Sequence, residues 1–231
     1  MPKAMDLDQA HGSTTPFYTL HSCDGDVAGE LAAILADDSS SKEANWQDLL
    51  ENRSSLRNRL IEQGLAEPLA LEELKWDDSM LLFTCSIHLD EEGKPMTVGE
   101  NLTRERFGRF PYGNGSLIGY VLEYLRPNSR VKSSNKPFNR ILNLLNKLNS
   151  FNTLENFDTP RYVGGMGGMN ILGFLSFEEV VELRKLLSGR NWSVASDEPL
   201  DGGIRDAIKH FLAMIKAAER RDSGIMHRAH S

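Results

Sequence analysis

The apolar positions of this 231-residue chain change period several times from the N-terminus onward. "FYTLHS" (17–22) carries the aromatic and β-branched bias of a short strand. In "CDGDVAGELAAILADD", Val27, Leu31, Ile34 and Leu35 recur at helical spacing behind Asp24 or Asp26, either of which can cap the first turn. That spacing predicts a first helix ending near Asp37. A second, longer helix is predicted over "SSSKEANWQDLLENRSSLRNRLIEQG", with a capping-box pattern from Ser40 to Glu43 and a stop at Gly64. Its apolar positions are Trp46, Leu49, Leu50, Leu56, Leu60 and Ile61, and Ser54 and Ser55 mark a place to bend. "LAEPLALEELKWDD" reads as a short helix, and "SMLLFTCSIHL" (79–89), an apolar run bounded by Asp-rich ends, reads as a strand.

The stretch from 93 to 116 holds five glycines and two prolines, so it is predicted to be loop, with Arg104, Arg106, Phe107, Arg109, Phe110 and Tyr112 clustered in "RERFGRFPYGNG". "SLIGYVLEYLRP" is a helix stopped by Pro127. In "NKPFNRILNLLNKLNSFNTLENF", Phe138, Ile141, Leu142, Leu145 and Leu148 form one face. Asn135, Asn139, Asn143, Asn146 and Asn149 form the other, with Pro137 suited to the first turn. Asparagine is a poor interior helix former, so this stripe reads either as an amide ladder toward a partner or loop, or as the tolerated solvent side of a helix held by its apolar face. "SFEEVVELRKLLSG" begins with a capping box from Ser176 to Glu179 and ends at Gly189, and the preceding "NILGFL" reads as a short core strand. A last helix is predicted over "DGGIRDAIKHFLAMIKAAERRDSG", with Ile204, Ala207, Ile208, Phe211, Leu212, Ile215 and Ala218 on one face and Gly224 as its stop, followed by "GIMH" as a terminal strand.

"RYVGGMGGMN" (161–170) is the one stretch that resembles a ligand loop. A dinucleotide fingerprint starting at Gly165 and Gly167 needs glycine where Asn170 stands, and a phosphate loop of the Walker type needs Lys followed by Ser or Thr, whereas the next basic residue after Gly168 is Arg184. The capped helix start at Ser176 is also separated from the glycines by "MNILGFL". Gly164 to Gly168 are therefore expected to serve chain geometry, as a turn or bulge.

Composition narrows the classes. Hydrophobic residues make up 40% and charged residues 26%, values of a folding globular chain, and no apolar run approaches the roughly 20 residues of a spanning helix. The N-terminal 1–16 is polar and is expected to be a flexible leader before a single domain over 17–231. Cys23 and Cys85 stand far apart, outside any metal or redox spacing, which fits buried thiols and a cytoplasmic location. The six histidines are scattered, and the close pair His227 and His230 lacks a nearby third ligand, so no metal or other cofactor is expected. His210 lies beside an apolar helix face and reads as structural.

The net charge of −7 hides a segregation. Residues 1–100 carry 7 basic and 20 acidic groups, residues 101–150 carry 9 and 2, and residues 151–231 carry 10 and 11. The basic island (Arg104, Arg106, Arg109, Arg126, Arg130, Lys132, Lys136, Arg140, Lys147) is expected to neutralise the acidic first half or a protein partner. The overall acidity disfavours a nucleic-acid backbone.

Gly173, Phe174, Leu175, Ser176, Phe177, Glu178, Glu179 and Val180, followed by "AAERRDSGIMH", resemble the YfbM-type family, which has a "GYLTPEEV"-like start to a helix near its C-terminus and an "AAERG"-like helix before a final strand. The likeness covers the last third of the chain and, loosely, residues 17–50; "EANWQDL" (43–49) is only a distant counterpart of the family's "DKAWHAL"-like segment. The family's activity is not established, so the resemblance implies an α+β fold and no catalytic residue. The expected fold is thus α+β, mainly helical, with a few short strands packed against amphipathic helices. The leading functional expectation is a non-catalytic module that binds a protein partner, regulatory or immunity-like, away from membranes. The alternatives are an enzyme or small-ligand protein with a pocket of Arg109, Tyr112, Arg161, Tyr162 and Asn170 near the glycine turn, and a nucleic-acid binder through 104–147.

Overall fold

The final apolar stretch of the chain organises the architecture. In the computed structural model, which describes residues 17–67, 69–98, 110–113, 115–129, 135–150, 169–189 and 191–230, the last strand lies in the middle of an antiparallel sheet. The elements are β1 (Phe17–Cys23), α1 (Gly25–Ala36), α2 (Lys42–Asn52), α3 (Ser54–Glu62), a 3-10 turn (Leu71–Glu73), α4 (Asp78–Ser86), α5 (Leu117–Tyr124), β2 (Leu125–Pro127), α6 (Lys136–Ser150), β3 (Met169–Leu175), α7 (Phe177–Ser188), β4 (Trp192–Val194), α8 (Gly203–Glu219) and β5 (Gly224–His230). This is the expected mainly helical α+β fold. Strand β5 pairs with β1 on one side and β3 on the other, so the first and the last described strands meet in one sheet.

Strand alternation sends successive side chains to opposite faces, and each face has its own helical layer. Tyr18, Leu20, Leu175, Ile225 and Ala229 join a core with α5 to α8. Cys23, Ile171, Phe174 and Met226 join a second core with α1 to α4. The short ribbon of β2 and β4 accommodates Pro127 because, among the described residues, it has no third strand needing that residue's amide.

Several helix starts follow from capping chemistry. Asp24 Oδ1 accepts from the amides of Asp26 and Val27 at 3.1 and 3.0 Å, which makes Asp24 the cap of α1 and Asp26 a first-turn residue. At α7 both halves of the Ser176/Glu179 box are present. The Ser40/Glu43 box is not: Ser41 precedes α2, and the Glu43 carboxylate turns away to accept from Leu71 N at 3.0 Å and Gln47 Nε2 at 2.8 Å. The predicted long second helix is two helices, broken at Arg53, whose φ of −125° and ψ of 70° leave the helical region.

Residues 79–89 are not a strand. Asp77 caps α4 through Met80 N at 2.9 Å, and Leu81, Leu82, Phe83 and Cys85 are buried around most of the helix circumference. A helix wrapped on nearly every side has no polar face, and its sequence then looks like a continuous buried strand. Only the tail is extended, where Ile87 bridges Cys23. The guanidinium of Arg59 donates to the carbonyls of Thr84 and Ile87 at 3.2 and 2.7 Å, closing the C-terminal end of α4. "LALEELKW" contributes a single 3-10 turn in place of a short α-helix, and Gly224 opens β5, since α8 has already ended at Glu219.

Gly173 allows close packing of β3 against α6. A Cβ there would lie 2.0 Å from Lys147 O and 2.7 Å from Leu148 C, so only glycine lets the end of α6 rest on the β3 bulge. Across from Gly173, His227 Nδ1 donates to Leu148 O at 3.2 Å. The terminal strand expected at "GIMH" thus runs on through "HRAH" to His230, with His227 fully buried.

Candidate functional site

The turns around α2 and α4 build a cleft of about 390 Å³ lined by Leu35, Ser39, Ser40, Lys42, Glu43, Leu71, Glu72, Trp76, Asp78 and Leu81. Its walls are fixed by side chains that hold the connecting turns. Asp37 accepts from Ser39 N at 2.8 Å and Ser41 Oγ at 3.1 Å, and these bonds, with the nearby Lys42 ammonium, hold its carboxyl below the usual range. Lys42 Nζ donates to Leu35 O at 3.0 Å, meeting a carbonyl that the end of α1 leaves open. On the opposite wall, Trp46 Nε1 and Gln47 Nε2 both donate to Leu69 O, at 2.6 and 3.1 Å, and Glu43 holds Leu71 N. The segment carrying Leu71 and Glu72 is thereby tied to α2.

The cleft combines two chemistries. Leu35, Leu71, Trp76 and Leu81 supply apolar surface, and Trp76 is only half-buried. Glu43, Glu72 and Asp78 supply three carboxylates against the single ammonium of Lys42; Lys42 also bonds the Leu35 carbonyl, and Glu43 the Leu71 amide and Gln47. Such a site suits an apolar group carried beside positive charge.

Of the residues predicted for a ligand pocket, Arg109, Arg161 and Tyr162 lie outside the described residues, as do the glycines 164–168. Tyr112 belongs to an aromatic cluster against α5, its Oη 2.6 Å from Tyr124 Oη and its ring edge-on to Tyr120 at 5.0 Å. Asn170 stands on β3 opposite Ala229. Neither lines the cleft. Its residues were within reach of sequence reasoning: "LKWDD" places a tryptophan among acidic residues just ahead of a capped helix, a position where burial alone does not explain an aromatic.

The basic island resolves in part. Arg140 pairs bidentately with Glu182, with Nη2 at 2.7 Å and Nε at 3.0 Å, and Lys147 Nζ lies 2.7 Å from Glu179. These partners are on α7, so this part of the island neutralises the neighbouring helix and not the acidic first half. Asn139 and Asn143 are exposed on α6, as is Asn135 just before it, opposite the buried Phe138, Ile141, Leu144, Leu145 and Leu148.

The polar groups between sheet and helices read as structural. Ser22 Oγ lies 3.0 Å from His88 Nδ1 and 2.5 Å from Ser223 Oγ, a hydroxyl chain ending on the Gly224 carbonyl. Ser22 is wholly buried, so this serine and histidine cannot meet a substrate as nucleophile and base. Burial pushes the Cys85 thiol up to about 12 and raises Cys23 further, which makes both inert.

In comparisons with protein-family models, curated proteins and solved structures, nothing matches this chain. Among the described residues, no helix is long and apolar enough to cross a membrane.

Proposed function

We propose that the protein is a non-catalytic, cytoplasmic protein-binding module, regulatory or immunity-like, and that the cleft between α1, α2 and α4 receives a basic segment of its partner. The observation that carries this reading is the pairing of an apolar base, Leu35, Leu71, Trp76 and Leu81, with a rim of three carboxylates and one engaged ammonium. An apolar anchor flanked by Lys or Arg complements both parts of that surface. The volume, about 390 Å³, lies near the lower end of ligand pockets, suited to an anchoring side chain. The excess of 20 acidic over 7 basic residues in 1–100 speeds the approach of a cationic partner.

Fluorescence anisotropy with the full chain tests this, using labelled peptides that share one Leu or Phe anchor and differ only in lysine or glutamate flanks. The lysine peptide is expected to bind with an affinity that falls with salt, and Glu72→Lys, at an exposed position, to weaken it on the order of tenfold. Equal binding of both peptides, or indifference to Glu72→Lys, overturns the reading.

A further inference from the structure

Four arginines among the described residues are half-buried: Arg53, Arg59, Arg184 and Arg228. Arg53 pairs with Glu30 at 3.0 Å, Arg59 with three carbonyls, and Arg184 with Glu219 at 2.5 Å. Arg228 is different. Its Nε is buried without a hydrogen-bond partner, as is that of Arg184, but Arg184 has the Glu219 carboxylate beside it and Arg228 has no carboxylate partner among the described residues. Desolvation pushes its pKa down with nothing to offset it.

Its surroundings hold the guanidinium in place. Arg228 lies at the centre of β5, level with Thr19 on β1 and Ile171 on β3. Its Cζ lies over the Phe83 ring of α4, 4.9 Å from the centroid, a cation–π contact. The same ring meets His21 edge-on at 5.4 Å. Thr19 Oγ1 joins His21 Nε2 at 2.9 Å to His230 Nε2 at 2.8 Å, so a hydroxyl and two imidazoles share this face of the sheet with the arginine. The cluster draws on residues 19, 21, 83, 228 and 230 and shares none with the acidic cleft.

A desolvated guanidinium is normally compensated by an anion, and its planar fork matches two oxygens of one group. We propose that Arg228, with Thr19 and His230 beside it, binds the oxyanion group of a small ligand, a phosphate or a carboxylate. This site is independent of the partner cleft and would stand if the peptide reading fell.

The test uses the full chain with inorganic phosphate and with acetate, each against chloride at constant ionic strength. Phosphate or acetate at about ten times its dissociation constant is expected to raise the Tm by about 4 °C. It is also expected to move one arginine Nε–H resonance, absent from the spectrum of Arg228→Met; the anion giving the larger shift identifies the ligand class. Arg228→Lys, which keeps the charge and loses the fork, is expected to retain only part of the effect. If Arg228→Met does not fold, the wild-type titration still decides, with Arg53→Met removing a competing assignment. A shift that persists in Arg228→Met, a moving resonance that disappears in Arg53→Met, or no shift with either anion overturns the proposal.

Discussion

The two helical layers on the faces of the sheet treat charge in opposite ways. In the layer of α5 to α8, Arg140 meets Glu182, Lys147 meets Glu179 and Arg184 meets Glu219, so cations and carboxylates of neighbouring helices close on one another. In the layer of α1 to α4, Arg53 and Arg57 find Glu30 and Glu67, but the cleft keeps three carboxylates for one ammonium, and Arg228 at the border with the sheet has no anion among the described residues. Charges that close within a layer are part of a scaffold. An excess of one sign of charge beside apolar surface favours a partner of the other sign.

The sharpest way to break the closed layer is Gly173→Val. The new Cβ cannot avoid Lys147 O, 2.0 Å away in the native packing, so α6 must lift from β3. A loss of at least about 4 kcal/mol in urea unfolding is expected. A loss below about 1 kcal/mol would mean that α6 and β3 are not so closely seated.

The next effect depends on pH. Burial holds His227 near a pKa of about 4, well below the ordinary 6.5 of histidine. The native state therefore keeps it neutral while the unfolded chain takes up a proton below about 6.5. The stability is fully present above that value and declines as pH falls toward about 4, by about 3 kcal/mol across the interval. Urea midpoints measured from pH 7 to pH 4 check this, and His227→Gln is expected to flatten the profile. An unchanged slope in that variant would assign the acid sensitivity elsewhere.

The smallest effect sharpens the contrast from the other side. Arg140 and Glu182 are each more than two-fifths exposed, so Arg140→Ala is expected to cost no more than about 0.5 kcal/mol despite its bidentate geometry. It should also leave the affinity for a lysine-flanked peptide unchanged, which the same anisotropy titration measures. If it altered peptide binding, the closed layer would have to be counted as part of the interface.

Much of the fold was legible because it is local. Asp24 before α1, Ser176 and Glu179 at α7, and the apolar stripes of α6 and α8 are set by neighbours three or four residues apart, and the structure follows them. Among the expectations that failed, α4 shows most directly where local reading ends. Its side chains are apolar nearly all round because the sheet and α1 enclose it, and enclosure is not a property of eleven consecutive residues. The cleft was half legible, since Trp76 and the acidic residues around it lie close in sequence while Leu35 and Lys42 reach it only through the packing of α1 and α2.

By itself the sequence determined the starts of α1 and α7, most of the apolar faces, the mainly helical α+β class and the separation of charge along the chain, all of which depend on spacings of a few residues. Only the tertiary structure decided that "HRAH" is the centre of the sheet, that part of the basic island closes on α7, and that Arg228 sits over Phe83 beside Thr19. Those arrangements join residues more than forty and up to about two hundred positions apart. Strand order and desolvation, which set them, exist only after the chain has closed on itself.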